Sequence, residues 1–203
     1  MNILLLGVSG RTGRLVAQLA LARGHAVTAV ARKPPGVELS DRLELMIGRP
    51  LQVEDLTPLC AKKDAVISCL GQRSSQDRTL LFDAAQAALE AMSRNRVRRY
   101  LVVSHGLLFP DANPIVALQR LLLSRQINDF EAMERLVRRS NVAWTIVRPS
   151  RLKDGGPARG YRTSLGAKPL GQSAMQRLDL ASFLVDEAEK GNFKTAMVGI
   201  TSR

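Results

Sequence analysis

The stretch that most constrains this chain is "GVSGRTG", residues 7–13, set between "MNILLL" and "RLVAQLALARG". The run before it, "NILLLGV", reads as a buried strand. Behind it, Leu15, Val16, Leu19 and Ala20 fall on one face of a helix over Arg14–Arg23, and Gly24 stops that helix. A strand, a turn with glycines three apart and a helix open a βαβ crossover, where the helix start offers free N–H groups and the positive end of its dipole. In such a turn Gly7 allows the tight bend, Gly10 lets the backbone approach a pyrophosphate, and Gly13 lets the helix pack closely on the sheet. Ser9, Arg11 and Thr12 add side-chain donors around the same point. The turn is therefore expected to hold a dinucleotide.

The alternation continues along the chain. "HAVTAVA", "RLELMIG", "DAVISCLG", "RRYLVVSH", "NVAWTIVRP" and "FKTAMVGI" read as further strands, seven in all. Helices are expected near Val53–Ala61, Asp77–Ser93, Pro114–Arg139 and Leu178–Lys190. The apolar stripe of the long one is Leu118, Leu121, Leu122, Phe130, Met133, Leu136 and Val137. Continuous Val/Ile/Leu strands separated by helices predict an α/β fold, a Rossmann-type, doubly wound, mostly parallel sheet of about seven strands with helices on both faces. One domain over residues 1–203 is expected, with the Gly/Pro-rich segment 149–173 as a substrate-side loop or lid.

The second strand bears on which dinucleotide is held. NAD sites place an Asp or Glu at its end for the ribose 2′-hydroxyl. Here the end reads "AVARKP", where Arg32 and Lys33 replace any acid. Arg32 suits bidentate pairing with a 2′-phosphate and Lys33 adds a point charge. At about 1.5–3 kcal/mol per charged hydrogen bond, one or two such bonds favour NADP(H).

Net charge is +12. A basic chain can seek a polyanion, yet the basic residues are spread along the length, apart from the group Arg94, Arg96, Arg98 and Arg99. Only 4% of residues are aromatic, too few for a base-stacking surface. These features argue for a basic surface around an anion pocket and against a nucleic-acid partner. Cys60 and Cys69 form no ligand spacing, and His25 and His105 give no His-based metal site. With no apolar run near the roughly 20 residues of a membrane span, no membrane partner is expected and a cytoplasmic location is.

The glycine turn, "VISCLGQ" (66–72), "YLVVSH" (100–105), "WTIVRPSRLKDGG" (144–156) and "LDLASFLVDEAE" (178–189) together resemble the atypical short-chain dehydrogenase/reductase proteins. Within these the chain is most similar to the NAD(P)H-binding group that contains flavin reductase/biliverdin-IX-beta reductase and the NmrA-like proteins. The resemblance covers essentially the full length. It implies that Gly7, Ser9, Gly10, Arg11, Thr12 and Gly13 hold the pyrophosphate and that Arg32 and Lys33 hold the 2′-phosphate. It further implies that Cys69, Leu70 and Gly71 border the adenosine, and that Ser104, His105, Pro149, Ser150 and Leu152 surround the nicotinamide.

There are departures from the family pattern. The Gly-Asp that many relatives carry after the third strand is Gly48-Arg49 here. The Tyr-x-x-x-Lys pair is absent, since Tyr100 precedes Ser104 and Tyr161 precedes Leu165. A His of the biliverdin-reducing member is matched by Arg151. A site without that tyrosine suits an acceptor that takes hydride on an electron-poor ring, such as a flavin or a quinone. Ser104 is expected to donate a hydrogen bond to the nicotinamide amide or the acceptor, and His105 to supply a proton. Arg151 and Tyr161 are expected to bind an anionic, flat acceptor. The same features fit a second reading, a non-catalytic NADPH-binding redox sensor.

Overall fold

The computed structural model describes residues 1–31, 41–48, 51–72, 78–110, 113–170 and 174–203. The strands are β1 (Asn2–Leu6), β2 (Ala26–Ala31), β3 (Leu43–Ile47), β4 (Ala65–Ser68), β5 (Arg99–Val103), β6 (Ala143–Pro149), β7 (Arg151–Lys153), β8 (Tyr161–Leu165), β9 (Ala174–Gln176) and β10 (Ala196–Ser202). The helices are α1 (Arg11–Ala22), α2 (Val53–Cys60), α3 (Leu80–Asn95), α4 (Pro114–Leu122), α5 (Ser124–Arg138) and α6 (Arg177–Lys190), and a short 3-10 turn covers Gly106–Leu108.

The main sheet has eight strands in the order β3-β2-β1-β4-β5-β6-β10-β8. Its first seven are parallel and are the seven read from the sequence; the eighth, β8, runs antiparallel to β10. The chain winds outward from β1 through β2 to β3, then returns to pair β4 against the other side of β1. That reversal puts the topological switch point between β1 and β4, the place at whose C-terminal ends doubly wound sheets take their ligands.

Strand residues alternate between two cores, because successive side chains leave opposite faces. Ile3 and Leu5 join Val16, Ala20, Leu180, Phe183 and Leu184 beneath α1 and α6. Leu4 and Leu6 join Leu56, Ala88, Met92, Phe130 and Met133 beneath α2, α3 and α5.

Three expectations are corrected. The long helix over Pro114–Arg139 breaks at Leu123, whose φ of −100° and ψ of 15° leave the helical range. α5 turns inward to bury Ile127, Phe130, Met133 and Val137, whereas α4 buries nothing. Segment 149–173 is not irregular throughout. It holds β7, which pairs with β9, and β8, which closes the sheet edge; β7 is only three residues long, and the edge strand β8, "YRTSL", is mostly polar and carries no apolar run. Finally, Arg99 does not belong to a solvated basic group. It is 8% exposed, and its guanidinium reaches Glu187 Oε1 at 2.6 Å and the Ala143 carbonyl at 2.8 Å, tying β5 to α6.

Candidate functional site

The glycine turn leaves β1 and opens α1. Gly7 has φ +89°, and a Cβ there would stand 2.9 Å from the Cys69 carbonyl carbon, so the turn lies hard against the exit of β4. A Cβ on Gly13 would stand 2.2 Å from the Gly7 carbonyl oxygen, so the helix sits directly on the turn. Gly10 is the N-cap and no side chain caps the helix. The first-turn amides of Arg11, Thr12 and Gly13 have no acceptor within the helix. An uncapped helix start in a cradle that side chains would fill fits the pyrophosphate of a dinucleotide.

Arg11 is not left free. Its Nη1 pairs with Asp154 Oδ2, and Asp154 Oδ1 lies 2.6 Å from Arg177 Nη1. Asp154, in the segment after β6, thus bridges the starts of α1 and α6 across the turn. Arg32 and Lys33, assigned to the 2′-phosphate, lie outside the described residues, as does Arg49.

The exits of β4, β5 and β6 supply the rest of the rim. Cys69 continues the ladder, donating its N–H to the Leu6 carbonyl at 2.9 Å, and leads into Leu70 and Gly71. Desolvation pushes its thiol up, so it stays protonated at neutral pH. Ser104 donates its amide to the Val147 carbonyl at 2.7 Å, and Ser150 donates its own to Ile200 at 2.9 Å. A Cβ on Gly106 would meet the Pro149 oxygen at 2.4 Å, which fixes the turn after β5 against the end of β6. Ser104, His105, Pro149 and Ser150 are therefore neighbours. Leu152, half-buried on β7, packs against the core beneath α1 and α6.

Behind Ser104 lies a buried charge pair that the sequence reading missed. Glu134 on α5 accepts from Arg148 Nε at 2.9 Å and Nη2 at 2.6 Å, a bidentate pair in which Glu134 is 3% and Arg148 9% exposed. The Arg148 guanidinium also lies 4.9 Å from the centre of the Phe109 ring. Ser104 Oγ donates to Glu134 Oε1 at 2.6 Å. A hydroxyl has one proton to give and two lone pairs, so with that proton on Glu134 the Ser104 hydroxyl has only acceptor capacity left. The expected donor role for Ser104 is thereby corrected. Glu134 carried no sequence signal, because a carboxylate among the charges of α5 looks like any solvated one.

His105 is also committed. Its Nδ1 accepts the Leu107 amide at 3.1 Å, capping the 3-10 turn, and its ring lies 5.5 Å from that of Phe130. Desolvation holds its pKa below the usual value. At neutral pH the ring is uncharged, and with Nδ1 an acceptor its proton resides on Nε2. His105 offers a neutral N–H rather than the ready acid expected of it.

Tyr161 departs furthest from its expected place. Its hydroxyl donates to Asp186 Oδ2 at 2.6 Å and its ring packs edge-on against Phe183 at 5.2 Å. This belongs to the core beneath α1 and α6, on the sheet face away from Glu134 and Phe130. Burial, then the adjacent carboxylate, hold the phenol protonated far above its usual range. Tyr161 is half-buried and acts as a strut between β8 and α6. Arg151 is exposed and forms no ion pair among the described residues, so it remains available to an anion. Those residues contain no His/Cys/Asp/Glu group able to hold a metal, and no helix long and apolar enough to cross a membrane.

Comparison with known proteins agrees with this geometry. Protein YwnB of Bacillus subtilis, itself uncharacterized, is 28% identical over 100% of this chain and 99% of its own. A candidate NADH-flavin reductase of Streptococcus pneumoniae superposes with a TM-score of 0.82 at 24% identity over 100% of each chain. A short-chain dehydrogenase/reductase of Veillonella parvula, solved in complex with NADP, superposes at 0.79 with 20% identity over 99% of this chain and 94% of that one. A profile for NAD(P)H-binding proteins matches residues 7–190. With the uncapped glycine turn and the Ser104 rim meeting at one end of a Rossmann sheet, the chain belongs to the NAD(P)H-binding family whose profile it matches.

Proposed function

We propose that the protein is an NADPH-dependent reductase acting on a small, flat acceptor of the flavin or quinone type. The observation that carries this reading is the state of the two polar groups on the nicotinamide rim. Ser104 has given its proton to Glu134, and His105 is neutral with one N–H to offer. Neither is a strong acid, so the site favours acceptors that need no proton in the hydride step.

The bound nicotinamide cofactor supplies the hydride. The chain's own residues orient and shield. The α1 amides with Ser9 and Thr12 hold the pyrophosphate, and Arg32 and Lys33 select the 2′-phosphate. The Ser104 lone pairs accept from the carboxamide, while Pro149, Ser150 and Leu152 cover the ring. Arg151 attracts an anionic group on the acceptor, and segment 149–173 forms the acceptor side of a single domain. The family match supports NAD(P)H as cofactor. Preference for NADPH rests on Arg32 and Lys33 alone.

The same rim supports a second reading, a redox sensor that binds NADPH without turnover. Stopped-flow oxidation of NADPH with a panel of flavins and quinones separates the two. Acceptor-dependent loss of the 340 nm signal is expected; tight NADPH binding with no oxidation above background would establish the sensor instead. Calorimetry is expected to show tighter binding of NADPH than NADH, the difference vanishing when Arg32 and Lys33 are both changed to alanine.

A further inference from the structure

α4 presents its apolar side to water. None of its nine residues is buried. At helical spacing Ile115, Leu118, Leu121 and Leu122 share one face with Pro114 and Ala117, while Val116 and Arg120 lie opposite. The exposures of those four apolar residues are 65%, 56%, 71% and 75%, yet Val116 and Arg120 are the half-buried ones. An ordinary surface helix does the reverse. Leu170 is a further exposed apolar residue, at 91%. A Cβ on Gly199 would meet Pro169 Cδ at 2.8 Å and Phe109 Cζ at 3.0 Å, so Pro169-Leu170 lies beside the segment that leads into α4.

Two arguments identify the occupant. A nine-residue helix is about 14 Å long and 10–12 Å wide, too small a face to supply by itself the ~800 Å² per partner of a stable dimer. Two copies of a chain with net charge +12 also repel. Residues 113–128 contain Arg120 and Arg125 and no Asp or Glu; Arg120, on the inward side of α4, lies 3.9 Å from Glu131, and Arg125 is exposed just beyond the stripe. An exposed apolar stripe on a chain of net charge +12 matches the interface of an anionic bilayer, where Leu side chains enter the acyl boundary and cations such as Arg125 meet headgroups. Lying on a bilayer requires no spanning segment.

We propose that the outward face of α4, together with Leu170, docks on a membrane surface rich in anionic phospholipid. The surface stands apart from the reductase reading, since it holds for a reductase or a sensor alike. α4 begins nine residues after His105, so docking would bring the nicotinamide rim close to the lipid.

The test is co-sedimentation with vesicles at physiological ionic strength, using equal parts phosphatidylcholine and phosphatidylglycerol, against pure phosphatidylcholine. The full chain is compared with the Leu118→Gln/Leu122→Gln double variant, which keeps the net charge and removes no core contact. The wild type is expected to bind the mixed vesicles more tightly than the neutral ones. The variant is expected to bind the mixed vesicles at least about tenfold more weakly, with an unchanged circular dichroism spectrum. Equal binding by both proteins would mean charge attraction without insertion and would overturn the proposal. So would no binding at all, or a dimer in light scattering that the variant abolishes. As a check on insertion that needs no loss of function, the emission of Leu122→Trp is expected to shift to the blue on the mixed vesicles; an unshifted spectrum counts against docking through α4.

Discussion

The Ser104 hydroxyl gives its only proton to Oε1 of Glu134 across 2.6 Å, just beyond the end of β5 and at the start of the rim proposed for the nicotinamide. That bond turns a serine expected to donate into one that accepts. Ser104→Ala removes the acceptor while Glu134 keeps both bonds from Arg148. NADPH affinity, by calorimetry, is expected to fall about three- to tenfold for one neutral hydrogen bond, with about 1 kcal/mol or less lost in stability. Unchanged affinity would show that Ser104 only braces Glu134.

The pair behind it is structural. Arg148 and Glu134 are 9% and 3% exposed and joined by two hydrogen bonds. Removing either partner alone strands a buried charge. Arg148→Met or Glu134→Leu should each cost about 3–5 kcal/mol in urea unfolding, and the double variant should recover most of that loss. Losses that simply add would mean the two charges do not act as a unit.

The glycines of the turn should separate into two kinds. A methyl on Gly13 collides with the Gly7 carbonyl at 2.2 Å, whereas one on Gly10 comes no nearer than 3.2 Å. Gly13→Ala is expected to lower stability by about 1–3 kcal/mol and to weaken NADPH binding as the turn shifts. Gly10→Ala is expected to weaken binding with a smaller change in thermal midpoint, since its methyl would face the pyrophosphate. Equal stability losses in the two variants would refute that division.

His105 carries a pH signature. Its folded pKa lies below its unfolded value because burial disfavours the imidazolium. Below the unfolded pKa near 6.5 the unfolded chain binds more protons than the native one. The contribution is therefore intact above that pH and is lost as the pH falls toward the lower folded value. The difference in unfolding free energy between the wild type and His105→Gln should be constant above about pH 6.5 and should shift against the wild type below it. A difference independent of pH would place the His105 pKa at its ordinary value.

Asp154 pairs with Arg11 at the start of α1. Both side chains are well exposed, 68% and 45%, so the pair contributes at most about 1 kcal/mol. Asp154→Asn removes a carboxylate beside the pyrophosphate cradle and releases Arg11. Stability should change by less than about 1 kcal/mol while NADPH binding tightens severalfold in calorimetry. Weaker binding would instead give Asp154 a part in ordering the turn.

Much of this molecule was legible in one dimension. The seven strands read from "NILLLGV" to "FKTAMVGI" are seven neighbouring strands of the sheet, because fully buried parallel strands must be continuously apolar. Gly7 and Gly13 were legible for a similar reason: a turn that touches the next strand and a helix that touches the turn leave no room for side chains. Local pattern failed at β7 and β9, three residues each, and at β8, a mostly polar edge strand with no apolar run. It failed again at Pro114–Arg139, where an unbroken apolar stripe hid a break that only packing reveals.

The sequence by itself determined the winding of the sheet and the place of the phosphate turn, since both follow from periodicity and from glycine sterics within a few residues. The tertiary structure alone decided what the polar groups do. Ser104 meets Glu134 across 30 positions of chain, and Tyr161 meets Asp186 across 25. A hydroxyl's direction is set by whichever charge the fold brings to it, and that partner lies beyond the reach of any local pattern.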